Sequence, residues 1–125
     1  MVVTTYAALL AVWLVILSTR VIAFRGNPAF RWFAFGKHDE SLDRAIRAQG
    51  NLTEYAPVFL ILMLLAEMHG MASASLHYYG MAFLLGRLMH GICFGFMKKN
   101  LLLRVGGTTL TLFPILGLAV VLLMR

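Results

Sequence analysis

The sequence predicts an all-α integral membrane protein with four transmembrane helices. Of its 125 residues, 61% are hydrophobic and 13% are charged, and the mean hydropathy is +0.83. Soluble domains carry about 25% charged residues, so lipid is the expected solvent for much of this chain. Four apolar segments each approach the ~20 residues that a helix needs to cross a hydrocarbon core of ~30 Å. We predict one domain over residues 1–125, with helices at about 2–20, 44–67, 75–97 and 103–124.

The first segment, VVTTYAALLAVWLVILST, is uniformly apolar, and basic residues appear only after it, at Arg20 and Arg25. A cleaved signal peptide would carry its basic residues before the apolar run and a small-residue cleavage site after it, so we expect a retained helix. The loop that follows contains the chain-breaking pair Asn27-Pro28 and several aromatic residues typical of a membrane–water interface. These aromatic residues are Phe30, Trp32, Phe33 and Phe35.

The second segment must include polar residues if it is to cross the membrane. Its apolar part, Tyr55 to Ala66, is only 12 residues long, which is too short unless the helix also contains residues 47–54. We therefore expect the stretch RAQGNLTEYAP, residues 47–57, to lie in the bilayer. The third segment, Leu76 to Met97, carries His77, Arg87 and His90, whereas the fourth, Val105 to Met124, is nearly free of polar groups.

The net charge of +6 is explained by membrane topology. The basic residues do not form a helix face with interleaved aromatic residues, so nucleic acid is not an expected partner. They concentrate in two loops, and the opposite side of the membrane has only Arg125. The positive-inside rule then predicts that both basic loops lie in the cytoplasm and both termini outside, and the brevity of the chain favours a bacterial inner membrane. The basic loop residues are Arg20, Arg25, Arg31, Lys37, Arg44 and Arg47 in the first loop, and Lys98, Lys99 and Arg104 in the second.

Arg47, Asn51 and Glu54 form a polar stripe on one face of the second predicted helix, because their spacing is i, i+4, i+7. A charged residue near the bilayer centre costs about 2.5 to 3.5 kcal/mol, whereas each Leu or Ile contributes only about 0.3 to 0.6 kcal/mol. The stripe should therefore face a partner helix, a subunit interface or a wet cavity. Arg87 and His90 on the third segment are candidate partners, and an ion pair between Glu54 and Arg87 is plausible.

Two interpretations of this stripe remain open from the residues alone. In one, the polar groups neutralise one another and hold the helices together. In the other, they form an anion-accepting pocket, because guanidinium groups donate forked hydrogen bonds to carboxylates and amides supply further donors. Such a pocket suits a small zwitterion with several carboxylates. Its donors would be Arg47, Arg104, Arg20, Asn51 and Gln49, with Glu54 accepting from an amine.

The same stretch, RAQGNLTEYAP, resembles the signature of the membrane-associated proteins in eicosanoid and glutathione metabolism (MAPEG). That signature is Arg-Ala-x-x-Asn-x-x-Glu followed by an aromatic residue and a proline. Arg44, the GRLMH run at residues 86–90 and the RVG run at residues 104–106 extend the resemblance over nearly the whole chain. The resemblance implies a homotrimer of four-helix subunits, with glutathione held as co-substrate between neighbouring subunits at the cytoplasmic end. The short loops favour a general, detoxification-type bacterial member.

The resemblance also implies roles for individual residues. Arg104 would stabilise the glutathione thiolate, and Arg87 would lie close to Glu54. A free thiol has a pKa of about 8.5, so a neighbouring guanidinium would raise the fraction of the nucleophilic thiolate at neutral pH. The residues expected to bind the tripeptide are Arg47, Asn51, Glu54 and Tyr55, with Gln49 and Arg44 nearby.

Three functions follow as hypotheses. The leading one is a glutathione transferase or peroxidase, in which the thiolate attacks a hydrophobic small molecule that enters from the bilayer. The alternative is a non-catalytic lipid- or glutathione-binding protein that acts through partners. It is favoured by Phe94, which stands where related enzymes that act on eicosanoids often carry a tyrosine. A third is a small exporter that couples transport to protons through Glu54.

No metal site is predicted, because the histidines and the single cysteine lack ligand spacing. His38, His69 and His77 are dispersed along the chain. Cys93 lies in an apolar run and is interpreted as a packing residue.

Overall fold

A computed structural model describes residues 1–125, and its regular secondary structure is entirely helical. All four α-helices are long and apolar enough to cross a membrane. The predicted class, an all-helical protein with four membrane-spanning segments, is therefore confirmed. The helices are α1 (Val2–Phe24), α2 (Ser41–Met68), α3 (Ser73–Phe96) and α4 (Leu101–Leu123), with a short 3₁₀ helix (Pro28–Phe33) between α1 and α2.

Two helices are longer than the sequence predicts at the ends that meet the first loop. Helix α1 continues to Phe24 instead of ending near residue 20, because Arg20 is buried and hydrogen-bonded within the fold. Helix α2 begins at Ser41 rather than near residue 44, and the Ser41 hydroxyl accepts a hydrogen bond from the His38 amide at 2.7 Å. Asp43 lies in the first turn, where a carboxylate is favoured by the helix dipole.

Helices α2 and α3 form the centre of the bundle. Each of them packs against the three other helices, whereas α1 and α4 each pack against α2 and α3 but not against one another. Between α2 and α3, the fully buried rings of Phe59 and Phe83 stack with their centroids 4.0 Å apart. This aromatic pair sets how α2 and α3 face one another in the middle of the bundle.

Small residues on α3 allow close approach on two sides. A Cβ atom placed on Gly86 would lie 2.9 Å from the Gly107 carbonyl oxygen, so α3 and α4 approach backbone to backbone there. Gly91 instead faces α1, where a Cβ would lie 2.6 Å from the Trp13 indole. These two glycines of α3 therefore serve different neighbours.

The end of the bundle near the chain termini is closed by polar contacts between helices. The carboxylate of Glu67, on α2, accepts hydrogen bonds from the backbone amides of Val2 and Val3 at the start of α1. Nearby, the Tyr6 hydroxyl lies 2.9 Å from Nδ1 of His77. The remaining polar side chains of interest lie toward the opposite end.

Candidate functional site

Arg87 is the hub of a buried polar network that joins α2, α3 and α4. Its Nε donates to the Thr111 hydroxyl at 2.8 Å, and its Nη1 donates to Oδ1 of Asn51. Thr111 in turn donates to the Gly107 carbonyl at 2.7 Å. The guanidinium is only 3% exposed, and its hydrogen-bond partners are neutral oxygens. The network therefore holds Asn51 in a defined position on α2.

The ion pair between Glu54 and Arg87 is not formed within the subunit. Glu54 is exposed, and Asn51 occupies the place beside the guanidinium. The physical reason is helical rotation, because three residues turn the chain through 300° and leave Glu54 about 60° away from Asn51 around α2. Glu54 therefore points to the surface of the single subunit.

Tyr55 and Asn51 line a small polar cavity next to this network. The Tyr55 ring lies with its centroid 5.4 Å from the Arg87 guanidinium carbon. The cavity, about 40 Å³, is large enough for a few water molecules but not for a peptide. Its lining residues are Asn51, Tyr55, Arg87, Thr108, Thr111 and Leu112.

A second cluster brings three arginines together around Phe94. The guanidinium carbons of Arg44, Arg47 and Arg104 lie 4.6, 6.0 and 5.9 Å from the centroid of its ring. The His90 ring stacks on Phe94 at 4.6 Å. An aromatic face attracts cations, so Phe94 on α3 is a platform on which arginines from α2 and α4 converge.

Of these three arginines, Arg44 is held by the protein and the other two are exposed. Arg44 donates to the carbonyl oxygens of Cys93, at 2.9 Å, and Met97, at 3.2 Å, and so caps the C-terminal end of α3. Arg47 and Arg104 present their guanidinium groups at the surface. Two forked donors are thus available to an external anion.

We call the adjoining opening the basic cleft. It has a volume of about 270 Å³, and its lining contains four basic side chains and one acidic side chain. Such an excess of cations favours a ligand with more than one negative charge. The lining residues are Glu40, Arg44, Cys93, Phe94, Lys98, Lys99, Asn100, Leu101 and Arg104.

Arg20 is separated from this cluster. Its side chain is 2% exposed, and it donates to the Gly95 carbonyl at 2.8 Å and to the Phe33 carbonyl at 2.6 Å. The rings of Phe24 and Phe35 each lie 4.3 Å from its guanidinium carbon. Its donors are directed to the backbone of α3 and the first loop, so the structure assigns Arg20 to holding that loop rather than to the basic cleft.

Sequence reasoning missed Thr111, and it did not foresee how Phe94 is used. Thr111 is the acceptor for a buried guanidinium, yet a threonine in a helix commonly bonds its own backbone and gives no sign of a partner elsewhere. The sequence signal that could have identified Thr111 is its position, because it lies one turn after Gly107 on the face where α4 meets α3. Gln49, another of the predicted binding residues, is half-buried on α2.

Comparison with known proteins identifies the family. The model of the MAPEG family matches residues 3–124. The chain belongs to the MAPEG family. This MAPEG chain is 37% identical over 111 residues to inner membrane protein YecN of Escherichia coli strain K12, an alignment that covers 89% of the chain and 82% of the relative. It is equally similar to YecN of Escherichia coli O6:H1 strain CFT073, and no solved structure matches.

These findings confirm the family to which the signature pointed. They also support an integral membrane localisation, because the relatives are named as inner membrane proteins and four helices of this MAPEG chain are apolar enough to span a bilayer.

Proposed function

We propose that this protein is a glutathione-dependent membrane transferase or peroxidase. The observation that carries the proposal is the convergence of Arg44, Arg47 and Arg104 on Phe94 beside a basic cleft. Glutathione carries two carboxylates, one amine and one thiol. Guanidinium groups match the carboxylates, and the exposed carboxylate of Glu54 matches the amine.

Each proposed binding residue has a distinct part. Arg47 binds a carboxylate with Arg44 nearby, while Asn51, held by Arg87, bonds the peptide backbone with Gln49 and Tyr55 beside it. Arg104 stabilises the sulfur as a thiolate, which is the nucleophilic form of a thiol. The thiolate then forms a bond to the electrophilic atom of a hydrophobic substrate that enters from the bilayer, and the displaced group leaves with the electron pair of the broken bond.

The proposed assembly is a homotrimer with the site between neighbouring subunits. Arg47 and Glu54 are exposed on a membrane-spanning helix of the single subunit, and charged groups facing lipid are costly. A neighbouring subunit would cover them and complete the glutathione site. With the basic loops in the cytoplasm, the site would open to the cytoplasmic pool of glutathione.

A second candidate, a non-catalytic glutathione- or lipid-binding protein, is favoured by Phe94. Its ring lies in the middle of the three arginines and has no hydroxyl group that could bond a sulfur. In that case the cleft would bind the tripeptide without activating it.

Ultraviolet titration of the glutathione thiolate on the detergent-solubilised protein separates the two candidates. The transferase requires that the bound thiol ionise well below its ordinary pKa of about 8.5. Arg104→Gln should abolish that shift and keep binding, and Arg47→Gln should weaken binding at least about tenfold, the loss of one charge-assisted bond. Arg125→Gln, at the opposite end of the bundle, is the matched control. Binding without a thiolate signal supports the non-catalytic candidate, whereas absence of glutathione binding contradicts the transferase and leaves only the lipid-binding form of the second candidate.

A further inference from the structure

The first loop forms a second cleft, separate from the basic cleft, which we call the loop cleft. It lies beside the end of α1 and the 3₁₀ helix and has a volume of about 340 Å³. A water molecule occupies roughly 30 Å³ of liquid, so the space suits a polar group of many atoms. Its lining residues are Ala23, Gly26, Asn27, Arg31, Ala34 and Lys37.

The loop cleft is positively charged and open. Arg31 and Lys37 are both exposed, and no acidic residue contributes to the lining. Neither of these cations is used in the proposed glutathione site. An arginine and a lysine that share a cleft with no carboxylate are suited to a phosphate group. The phosphate oxygens accept forked hydrogen bonds from the arginine, and the lysine adds a compact positive charge.

Two large aromatic side chains are exposed next to lining residues of the loop cleft in the sequence, because Trp32 follows Arg31 and Phe35 follows Ala34. Trp32 is 70% exposed and Phe35 is 55% exposed. The loop joins α1 to α2, and both helices are apolar enough to span a membrane, so the loop lies where the bilayer meets water. Tryptophan is enriched at that level because its ring is apolar and its N–H is polar.

The loop cleft is preformed because the loop is tied to the bundle. Arg20 donates to the Phe33 carbonyl, and the Phe33 ring packs 5.6 Å from the ring of Phe96 on α3. The Asn27 side chain accepts from the Ala29 amide at 2.9 Å and caps the 3₁₀ helix. A site whose backbone is already ordered loses less conformational entropy when a ligand binds.

We propose that the loop cleft binds the phosphodiester headgroup of an anionic phospholipid. Arg31 and Lys37 hold the phosphate, while Trp32 and Phe35 lie against the upper part of the acyl chains. The flanking aromatic residues and the position at the bilayer surface distinguish a lipid from a soluble phosphate, which would have no use for exposed rings. The proposal does not depend on glutathione binding.

Native mass spectrometry of the full chain in detergent tests this site. Phosphatidylglycerol and phosphatidylcholine with identical acyl chains are added separately, and retained lipid is counted. Each basic residue near a membrane surface contributes a factor of about five in affinity for anionic lipid. Arg31→Gln/Lys37→Gln should therefore lower phosphatidylglycerol affinity roughly 25-fold and leave phosphatidylcholine retention unchanged. Lys98→Gln/Lys99→Gln removes the same charge from the second loop, whose cleft has no exposed aromatic side chain in its lining, and should lower that affinity markedly less. Equal losses in both double variants would overturn the proposal.

Soluble competitors decide between a lipid and a free phosphate. Glycerol phosphate and inorganic phosphate, at the concentration of the lipid, should not displace phosphatidylglycerol, because they lack acyl chains for Trp32 and Phe35. Displacement by either would assign the cleft to a soluble phosphate and contradict the proposal.

A second measurement leaves the cleft intact. The chain has two tryptophans, and Trp13→Phe makes Trp32 the only tryptophan, which is excited selectively over the tyrosines. In nanodiscs, brominated phosphatidylglycerol should quench Trp32 more strongly than brominated phosphatidylcholine at equal mole fraction. Equal quenching would show that Trp32 meets bulk lipid and that no headgroup is selected.

Discussion

Thr111 and Thr109 lie two residues apart on α4 and differ in burial. The Thr111 hydroxyl is 1% exposed and accepts from the Arg87 guanidinium, while Thr109 is exposed. A buried donor that loses its acceptor costs far more than a surface hydroxyl that is removed. The stability of the Arg87 network therefore depends on the Thr111 hydroxyl as well as on the Asn51 side chain.

Thr111→Val should destabilise the protein by about 1 to 3 kcal/mol, because the change keeps the side-chain shape and leaves the buried Nε–H of Arg87 without a partner. Thr109→Val makes the same chemical change on the exposed face and should stay within about 0.5 kcal/mol of the parent. Reversible unfolding in mixed micelles measures both. Equal stability of the two variants would mean that the Arg87–Thr111 bond contributes nothing to the fold.

At the scale of helices, the contact between α3 and α4 depends on the absence of side chains. Gly86 and Gly107 bring the two backbones together, and no Cβ fits at either position without movement. By contrast, Gly50 on α2 has no atom within 4 Å of the position a Cβ would take. Substitutions at Gly86 and at Gly50 therefore distinguish an effect on helix packing from an effect on helix propensity.

Gly86→Ala should destabilise the bundle by about 1 to 3 kcal/mol, since the new methyl group would meet the Gly107 carbonyl and Leu110 and must push the helices apart. Gly50→Ala should be neutral or stabilising by up to about 1 kcal/mol, because Ala favours a helix over Gly. Thermal unfolding monitored by helical circular dichroism compares them. Stabilisation by Gly86→Ala would contradict the close approach of α3 and α4.

The start of α1 depends on a side chain from a different helix. The first amides of a helix have no partner within it, and Glu67 of α2 supplies the acceptor for Val2 and Val3. Removing that carboxylate should let the first turn fray.

Glu67→Ala should therefore speed hydrogen–deuterium exchange in the first turn of α1 and leave exchange in α4 unchanged. Glu40→Ala, which removes an exposed acid that makes no capping bond at the start of α2, is the control. Unchanged exchange at Val2 and Val3 in Glu67→Ala would rule out this cap.

For the whole molecule, charged groups lie on the membrane-spanning surface of the chain. Exposed Arg47 and Glu54 lie on a membrane-spanning helix, and the basic cleft is open on one side. Both features are accounted for by the proposed contact with neighbouring copies.

Native mass spectrometry should find three copies of the 13.9 kDa chain in gentle detergent, and glutathione should bind only to that form. The physical reason is that the site needs a second subunit to cover Arg47 and Glu54. A monomer that binds glutathione as tightly as the assembly would contradict a site between subunits, without contradicting glutathione binding itself.

The sequence by itself predicts the helices of this protein and the polar segment of the second helix. A backbone in lipid must satisfy its own hydrogen bonds, so four apolar segments predict four helices. The short apolar part of the second segment likewise predicts that Arg47 to Glu54 belong to a helix. Residues 47–57 also identified the family, because the signature is contiguous in the chain.

Tertiary structure alone decided which groups meet. The sequence predicted Glu54 as the partner of Arg87, and the rotation of α2 against α3 places Asn51 there instead. Arg20 was one more forked donor in the sequence, and only the fold of the first loop directed it to the Gly95 and Phe33 carbonyls. These outcomes depend on how helices rotate and approach, which is set by contacts between residues distant in sequence, such as Phe59 with Phe83 and Gly86 with Gly107.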